Sequence, residues 1–152
     1  MELDEKDRKL LFELQSNARM TNGELAEIVG LSTSGVQKRL RKLEENGFIA
    51  RYATILDRHK LGFDLPCFVE VSLQAHEPRD VTDFDAAVQE MPEVVECYRL
   101  TGSADYLLKI MARNRDHLDH FLMKVLMPLK AVDRLRTRVI IKEIKETTDI
   151  PT

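Results

Sequence analysis

The segment from Leu25 to Arg41 constrains the fold most strongly, because it encodes two short helices joined by a tight turn. Ala26 is small enough to let a second helix pack closely, and Gly30 can adopt the left-handed conformation that ends the first helix. Val36 can then close the angle between the two helices. This spacing predicts a helix-turn-helix, for which the preceding residues must provide a support.

Capping residues predict where the supporting helix and the first helix of this pair begin. Asp4 can cap a helix that runs to about Asn17 and keeps its leucines at helical spacing. Thr21 and the later Glu24 have the spacing of a capping box. A second helix therefore begins at Thr21 and ends at Gly30.

The third helix begins at a cap provided by Ser32 or Thr33 and ends at Gly47. Its apolar residues recur at i, i+4 and i+7, and they are Val36, Leu40 and Leu43. A step of about 100° per residue places polar side chains opposite this stripe, namely Ser34, Gln37, Lys38, Arg41 and Lys42. Between Thr33 and Leu43 the helix has basic residues and no acidic one, which favours contact with phosphates and bases of DNA.

Two alternatives accompany this DNA-binding prediction. Arg39 lies near the buried edge of the helix, so a structural ion pair competes with a phosphate contact. The whole segment is also compatible with an ordinary helical hairpin that has a solvated basic face.

Residues 48–56 (FIARYATIL) favour a strand of a small wing, from which Arg51 would reach the DNA backbone. The residues predicted to contact DNA therefore lie on the third helix and in the segment that follows it. The residues predicted to contact DNA are Ser32, Thr33, Ser34, Gln37, Lys38, Arg39, Arg41, Lys42 and Arg51.

The net charge of the chain is −3, so any contact with DNA must come from a local basic patch. The acidic excess lies in the second part of the sequence, which argues against a uniformly basic nucleic-acid-binding protein. The N-terminus has no apolar signal region, and no apolar run reaches the length of a membrane span. We therefore expect a cytoplasmic protein without membrane contact.

The second part of the chain alternates strands and helices. Residues 57–65 (DRHKLGFDL) are mostly polar and precede Pro66, which indicates a linker. Strands are predicted at 67–73, 94–101, 106–112 and 135–145, with helices at the apolar stripes around Phe84 and Phe121. This order is that of the ferredoxin-like βαββαβ arrangement, with two helices on one face of a four-stranded sheet. The predicted fold class is therefore α+β, with a winged helix-turn-helix domain at 1–56, a linker at 57–65 and a ferredoxin-like domain at 66–152.

The uncovered face of such a sheet needs a partner if it carries apolar residues. In the first strand Val69 and Val71 alternate with Phe68, and in the last strand Val139 faces one side and Ile140 the other. Both faces are therefore partly apolar. We expect a homodimer through this domain, which would also supply two helices for two DNA half-sites.

Four stretches of the sequence agree in order and spacing with one known family. They are LDEKDRKLLFELQSNARMTNGELAEIVGLSTSGVQKRLRKLEENGFIARYATIL, the linker sequence LGF, LTGSADYLLKI and VIIKEIKETTDIP. Along nearly the entire chain, the sequence resembles the Lrp/AsnC, or feast/famine, family of transcriptional regulators. The resemblance implies an N-terminal winged helix-turn-helix whose third helix is the recognition helix. It also implies a C-terminal α/β domain that dimerises and often builds octamers from four dimers.

Many members of this family sense amino acids around the turn between the second and third strands of the sensing domain, between dimers. By resemblance, the predicted effector site is Thr101, Gly102, Ser103, Ala104, Asp105 and Tyr106. Backbone N–H groups of a turn that contains glycine can hold a carboxylate, and Asp105 can accept hydrogen bonds from an ammonium group. Many members have an acidic residue where Ser103 stands, which leaves the ligand open. The alternative is a structural hairpin, in which Asp105 binds local amides and Tyr106 packs in the sheet.

No pattern in the sequence indicates a metal, a cofactor or a catalytic centre. Cys67 and Cys97 lie in apolar runs without the spacing of a zinc site, so we expect both to be buried free thiols. His117 and His120 could share a metal, but a solvated helix face explains them better. No Ser/His/Asp set, phosphate loop or dinucleotide fingerprint occurs.

The predicted function is a sequence-specific DNA-binding transcriptional regulator whose assembly or DNA affinity is modulated by a small ligand, an amino acid. Its expected partners are double-stranded DNA, this ligand and further copies of the chain, in a homodimer or an octamer. One alternative is a nucleoid-organising protein that binds DNA without an effector. The other is a small-molecule enzyme on the ferredoxin-like domain, since that fold hosts many functions.

Overall fold

A computed structural model describes residues 1–74 and 77–152. The chain forms two compact units. The first contains Met1–Ile55 together with Lys145–Thr152, and the second contains Leu56–Ile144. The sequence placed the residues after 144 in the second domain, whereas the structure groups them with the first unit.

The first unit contains three helices, α1 (Glu5–Ser16), α2 (Asn22–Val29) and α3 (Thr33–Glu45). All three predicted N-caps are present. The Asp4 carboxylate accepts a hydrogen bond from the Asp7 N–H at 2.8 Å, and the Thr21 hydroxyl accepts one from the Glu24 N–H at 3.2 Å. For α3 the cap is Ser32, whose hydroxyl accepts a hydrogen bond from the Gly35 N–H at 3.1 Å. These bonds satisfy donors that a helix start leaves unpaired.

The turn between α2 and α3 depends on Gly30, which has a φ of 63°. A side chain would be strained in this conformation, whereas glycine adopts it freely. Two lysines of α1 hold the carboxyl end of α2: the Lys6 Nζ donates to the Gly30 carbonyl at 3.1 Å and the Lys9 Nζ to the Ile28 carbonyl at 2.9 Å. Cations at this end also interact favourably with the helix dipole.

The core of the first unit forms where the three helices meet. Leu10 of α1, Leu25 of α2, and Val36 and Leu43 of α3 are fully buried. The predicted apolar stripe of α3 therefore faces the other two helices. Its polar residues face the opposite way.

The predicted wing strand at 48–56 is wrong for this chain, because these residues pair with no strand in the described part of the structure. The Phe48 N–H donates to the Leu43 carbonyl at 2.9 Å, after which the chain is extended. Ile55 is 82% exposed. The residue types do favour a strand, but a strand also needs a neighbour that supplies its hydrogen bonds.

The second unit contains four strands and two helical segments. The strands are β1 (Leu65–Leu73), β2 (Val94–Arg99), β3 (Tyr106–Ala112) and β4 (Val132–Val139). The helices are α4 (Pro78–Gln89) and α5 (Arg115–His120), and α5 continues as a π-helical turn over Phe121–Leu126. The sheet is antiparallel in the order β2-β3-β1-β4, which confirms the predicted ferredoxin-like arrangement.

The strand register separates a helix-covered face from an open face. Val69 pairs with Leu108 of β3 and Thr137 of β4, and Val71 pairs with Tyr106 and Leu135. The apolar members of these pairs face the helices, where they share a core with Phe84, Val88, Leu118 and Phe121.

The opposite face is called the open face, and it includes the alternate residues of β1 and β4. These are Phe68, Glu70 and Ser72 of β1, which pair with Arg138, Arg136 and Arg134 of β4. The face combines Phe68 with charged side chains. The Glu70 carboxylate lies 3.1 Å from Arg138 and 3.8 Å from Arg136.

The last strand ends at Val139, so the predicted end at 145 is wrong. Val139 pairs with Cys67 near the start of β1, and the Ile140 N–H makes the last sheet bond to the Pro66 carbonyl at 3.1 Å. Beyond Pro66, β1 has only its first residue, Leu65, so no further pairing partner remains for a longer last strand. Ile141, predicted to lie in the sheet, is 99% exposed.

The predicted linker is an ordered turn of the second unit from Leu56 onward. The Asp57 carboxylate accepts hydrogen bonds from the backbone N–H groups of His59 and Lys60. The Phe63 N–H donates to the Arg58 carbonyl at 2.9 Å, and the guanidinium of Arg113 lies 4.6 Å from the centre of the Phe63 ring. This turn leads directly into β1.

The two cysteines are free, but they differ in exposure. Cys67 is buried, as predicted, and burial raises the pKa of its thiol to about 11. Cys97 is exposed, so the prediction that it is buried is wrong. It lies on β2, which is an edge strand of the sheet, and edge residues are covered on fewer sides.

Candidate DNA interface and ligand site

The exposed side of α3 carries the predicted DNA-contacting residues. Val36 and Leu43 anchor the helix in the core, and this leaves the other side accessible. The exposed polar residues are Ser32, Thr33, Ser34, Gln37, Lys38, Arg41 and Lys42. Lys38 and Lys42 make no ion pair with any residue that the structure describes. Their ammonium groups are therefore available to an anion such as a phosphate.

Arg39 points away from this surface and pairs with α1. Its guanidinium lies 2.7 Å from the Asp4 carboxylate and 2.7 Å from the Asp7 carboxylate. Asp7 is only 3% exposed. The hydrogen bonds to Asp7 and then Asp4 raise the pKa of Arg39. Of the two roles open for Arg39 in the sequence, the structure contains the ion pair.

Arg41 pairs within α3, one helical turn from its partner. Its Nε donates to the Glu45 carboxylate at 2.7 Å, and both side chains are largely exposed. This hydrogen bond raises the pKa of Arg41. An exposed pair of this kind is weak in water, so a phosphate can replace Glu45 at little cost.

Arg51 lies in the extended segment after α3 and is exposed. The next residue, Tyr52, holds this segment to α3, because its hydroxyl donates to the Glu44 carboxylate at 2.8 Å. Burial, and then this hydrogen bond, raise the pKa of Tyr52 to about 12. Sequence reasoning missed Tyr52, since neither helical nor strand periodicity relates it to Glu44.

The turn between β2 and β3 is fastened to the end of β1 by Asp105. The Asp105 N–H donates to the Val71 carbonyl at 2.9 Å, and the Asp105 carboxylate accepts a hydrogen bond from the Leu73 N–H at 2.7 Å. The Leu100 N–H in turn donates to the Asp105 carbonyl at 2.8 Å. Asp105 thus positions the turn, as in the structural alternative that the sequence left open.

Tyr106 also has a structural environment. It is 2% exposed, and its ring centre lies 4.6 Å from that of Phe84. Its hydroxyl donates to the Asp85 carboxylate at 2.6 Å. Burial, followed by this hydrogen bond, raises the pKa of Tyr106. Tyr106 therefore joins β3 to α4 inside the second unit.

A shallow open cleft lies where the turn meets the open face of the sheet. Of the predicted effector residues, Ser103 and Ala104 line it, and the other lining residues are Glu70, Ser72, Arg134 and Arg136. Thr101 and Gly102 are exposed outside the lining, and Gly102 has a φ of 112° that suits glycine. Sequence reasoning missed the four sheet residues, because only the β1–β4 register brings them to the turn.

Among residues 1–74 and 77–152, no group of three or more His, Cys, Asp or Glu side chains could hold a metal ion. His117 is instead engaged locally, since its Nδ1 accepts a hydrogen bond from the Arg113 N–H at 3.2 Å. None of the described helices is long and apolar enough to cross a membrane.

Both units match models of known protein families. Residues 3–50 match a winged helix-turn-helix DNA-binding domain, and residues 66–150 match the Lrp/AsnC ligand binding domain. Together these matches cover most of the chain. They correspond to the unit that carries α3 and to the unit that carries the cleft.

Similar proteins extend over nearly the same length. The leucine-responsive regulatory protein of Salmonella typhimurium is 38% identical over 146 residues, which are 96% of this chain and 89% of that protein. The transcriptional regulator NMB0573 of Neisseria meningitidis, solved as an L-Met complex, is 37% identical with a TM-score of 0.96 over 99% of this chain and 97% of that one. AsnC of E. coli is 27% identical with a TM-score of 0.91 over 98% and 99%.

The family matches, the identity to regulators and the agreement of fold point to one class of protein, and that class is not an enzyme. The chain belongs to the Lrp/AsnC family of transcriptional regulators and contains that family's DNA-binding and ligand-binding domains.

Proposed function

We propose that this regulator reads DNA with the exposed side of α3 and that an amino acid bound beside the β2–β3 turn adjusts its affinity for DNA. The observation that carries the first half is the division of α3 into a buried apolar stripe and an exposed side, on which Lys38 and Lys42 form no ion pair with any described residue. A helix held in this way can enter the major groove. The proposed contacts exclude Arg39, because α1 already binds its guanidinium.

The contacts within this surface divide into two kinds. Lys38, Lys42 and Arg51 suit phosphates, which set the position of the protein on the duplex. Gln37 suits adenine and Arg41 suits guanine, since these side chains can make paired hydrogen bonds to those base edges. Ser32, Thr33 and Ser34 at the start of α3 add hydroxyl and backbone N–H donors for a phosphate.

Titration of labelled duplex DNA at several salt concentrations tests this surface. Each lost phosphate contact lowers the dependence of log affinity on log salt by about one unit, so we expect this change for Lys38→Ala. Arg115→Ala is a matched control, because Arg115 is an exposed arginine of the second unit. Equal salt dependence in the wild type, Lys38→Ala and Arg41→Ala would contradict the proposal.

The second half of the proposal concerns the ligand. It is supported by the match of residues 66–150 to a ligand binding domain and by the L-Met complex of the Neisseria relative. In this chain the cleft beside Ser103 and Ala104 offers charges of both signs, which suits a zwitterion. Asp105 and Tyr106 act on the ligand indirectly, by holding the turn in place.

We further propose that the protein acts as a homodimer, with assembly into octamers as a second level. The open face of the sheet, with Phe68 among charged residues, supplies a surface for a second copy. Two copies present two α3 helices to two half-sites about one helical turn apart. Sedimentation across a range of concentrations tests the assembly, and a monomer at the concentrations that bind DNA would contradict it.

A further inference from the structure

We propose that Tyr52 is a positioning residue for DNA binding, because its hydrogen bond to Glu44 holds Arg51 beside the exposed side of α3. The proposal rests on the DNA-reading function of that side, and it assigns a role to a residue that would not itself touch DNA. A wing strand that could fix Arg51 is not formed, since residues 48–56 pair with no strand in the described part of the chain. A different contact must therefore hold this arginine.

The segment that carries Arg51 is anchored to the first unit at two points. Ile49 packs against the core of the three helices, and its N–H donates to a backbone carbonyl of α3 at 3.4 Å. Residues 50–56 make a single hydrogen bond with the residues that the structure describes, in which the Tyr52 hydroxyl donates to the Glu44 carboxylate at 2.8 Å. Arg51 lies between these two anchors, so loss of the second would leave it on an unattached chain.

Glu44 places the second anchor at the end of the proposed DNA-reading row of α3. Gln37, Arg41 and Glu44 are spaced at i, i+4 and i+7, so they lie within about 60° of one another around the helix axis. Gln37 and Arg41 are the two residues proposed to read bases. The bond to Glu44 therefore sets the position of Arg51 relative to the row that enters the groove, and a phosphate beside that groove is the anion it can reach.

Charge and proton state suit this division of roles. Arg51 is exposed and makes no ion pair with any residue in 1–74 or 77–152, so its guanidinium can bind a phosphate. Burial, and then the hydrogen bond to Glu44, raise the pKa of Tyr52 to about 12, so its hydroxyl keeps its proton at neutral pH and remains a donor. Because the segment is ordered before DNA arrives, less conformational entropy is lost when Arg51 meets the phosphate.

Tyr52→Phe removes the hydroxyl and keeps the ring and the net charge. The affinity of the full-length protein is measured by fluorescence anisotropy at several salt concentrations, with a labelled duplex selected for binding to the wild type. We expect Tyr52→Phe to weaken binding about threefold to tenfold, the effect of losing one hydrogen bond of ordinary strength. Tyr98→Phe is the matched control, because Tyr98 is also 52% exposed and donates to Glu96 at 2.9 Å in the second unit. It should leave DNA affinity unchanged.

A double variant separates positioning of Arg51 from a general structural effect. Arg51→Ala alone should lower the dependence of log affinity on log salt by about one unit. If Tyr52 acts through Arg51, Tyr52→Phe should weaken binding no further in the Arg51→Ala background, whereas independent effects would add. Glu44→Gln keeps an oxygen that can accept the hydrogen bond, so Arg51→Ala should still weaken binding in that background. In the Glu44→Ala background it should have little effect.

The outcomes distinguish this inference from the proposed function. Additive losses, or wild-type affinity in Tyr52→Phe, would overturn the positioning role and leave DNA reading by α3 intact. Wild-type affinity and salt dependence in Arg51→Ala would also overturn it, because Tyr52 would then have no DNA contact to position. Equal salt dependence in the wild type and Lys38→Ala would instead overturn the proposed DNA-reading surface itself.

Discussion

Lys38 and Arg39 are neighbours in the sequence with the same charge, yet they have opposite environments. Lys38 is exposed and makes no ion pair within the described residues, whereas Arg39 binds two carboxylates of α1. One step along a helix turns a side chain by about 100°, and this rotation separates the proposed DNA contact of Lys38 from the structural ion pair of Arg39. At the residue scale, position on the helix therefore decides what a basic residue does.

Replacing each of these residues by alanine should separate the two roles. Arg39→Ala leaves the nearly buried Asp7 without its cation, so we expect the free energy of unfolding to fall by about 1–3 kcal/mol. Lys38→Ala should change it by less than about 0.5 kcal/mol, as for other exposed sites. Urea unfolding of both variants measures this difference, and equal destabilisation by the two would contradict the assignment.

Two carboxyl groups in the capping boxes of α1 and α2, those of Asp4 and Glu24, give the first unit a predictable response to acid. The Asp7 N–H and then Arg39 hold the pKa of Asp4 below its ordinary value of 3.8, and the Thr21 N–H and hydroxyl hold that of Glu24 below 4.5. A carboxyl with a lower pKa in the folded chain contributes stability that is complete above the ordinary pKa. This contribution is lost as the pH falls through the folded pKa.

We therefore expect the melting temperature of the first unit to fall when the pH is lowered below about 4.5, which is the ordinary pKa of Glu24. Circular dichroism measured as a function of pH follows this loss. Glu24→Gln and Asp4→Asn should each start from a lower melting temperature and show a flatter dependence on pH. An unchanged pH dependence in both variants would show that these caps do not control the acid response.

At the scale of helices and strands, the sequence predicts those features that depend only on neighbouring residues, such as where a helix begins and ends. Asp4, Thr21 and Ser32 cap helices through bonds to residues three positions ahead, and Gly30 ends α2 through its own backbone. Such signals lie within a few residues of each other. The helix boundaries and the order of strands could for this reason be predicted closely.

Features that depend on distant partners could not be predicted in the same way. The strand prediction at 48–56 failed because residue type does not reveal whether a neighbouring strand is present. Asp105 binds the Leu73 N–H across a long sequence separation, and Arg134 joins the cleft through its register with Ser72. The turn could be recognised from Gly102 and from the family resemblance, but the sheet residues that line the cleft could be identified only from the fold.

The hydrogen bond between the Asp105 carboxylate and the Leu73 N–H, which holds the β2–β3 turn to β1, can be tested separately. Asp105→Ala removes the acceptor for the Leu73 N–H, so we expect a loss of about 1–3 kcal/mol in stability and faster hydrogen exchange at this amide. Asp105→Asn keeps an oxygen acceptor and should retain most of the protection. If the Leu73 amide exchanges at the same rate in the alanine variant, Asp105 does not hold the turn to β1.

At the scale of the whole molecule, the chain passes twice between its two units. It leaves the first unit after Ile55 and returns at Lys145, beyond the end of β4. The returning segment is held on α1, where the Ile150 N–H donates to the Gln15 side chain at 2.6 Å and the Gln15 amide donates to the Ile150 carbonyl at 3.0 Å. The strand that carries Arg134 is therefore continuous with a segment bound to the DNA-reading unit.

This connectivity offers a covalent route by which a ligand in the cleft can influence α3, in addition to any effect on assembly. A ligand regulates DNA binding only if its affinity differs between the free and DNA-bound states, and the coupling is reciprocal. Typical couplings change affinity by about 5-fold to 150-fold. If a ligand regulates this protein, its binding must therefore shift the affinity for DNA measurably.

The most direct test is the affinity of the full-length protein for a selected duplex, measured by fluorescence anisotropy with and without a saturating amino acid. We predict at least about a 5-fold change in the dissociation constant with the amino acid that binds most tightly. Lys38→Ala should weaken DNA binding in both conditions and leave amino-acid affinity unchanged. A dissociation constant that is the same with and without every bound amino acid would contradict regulation of DNA binding by a ligand.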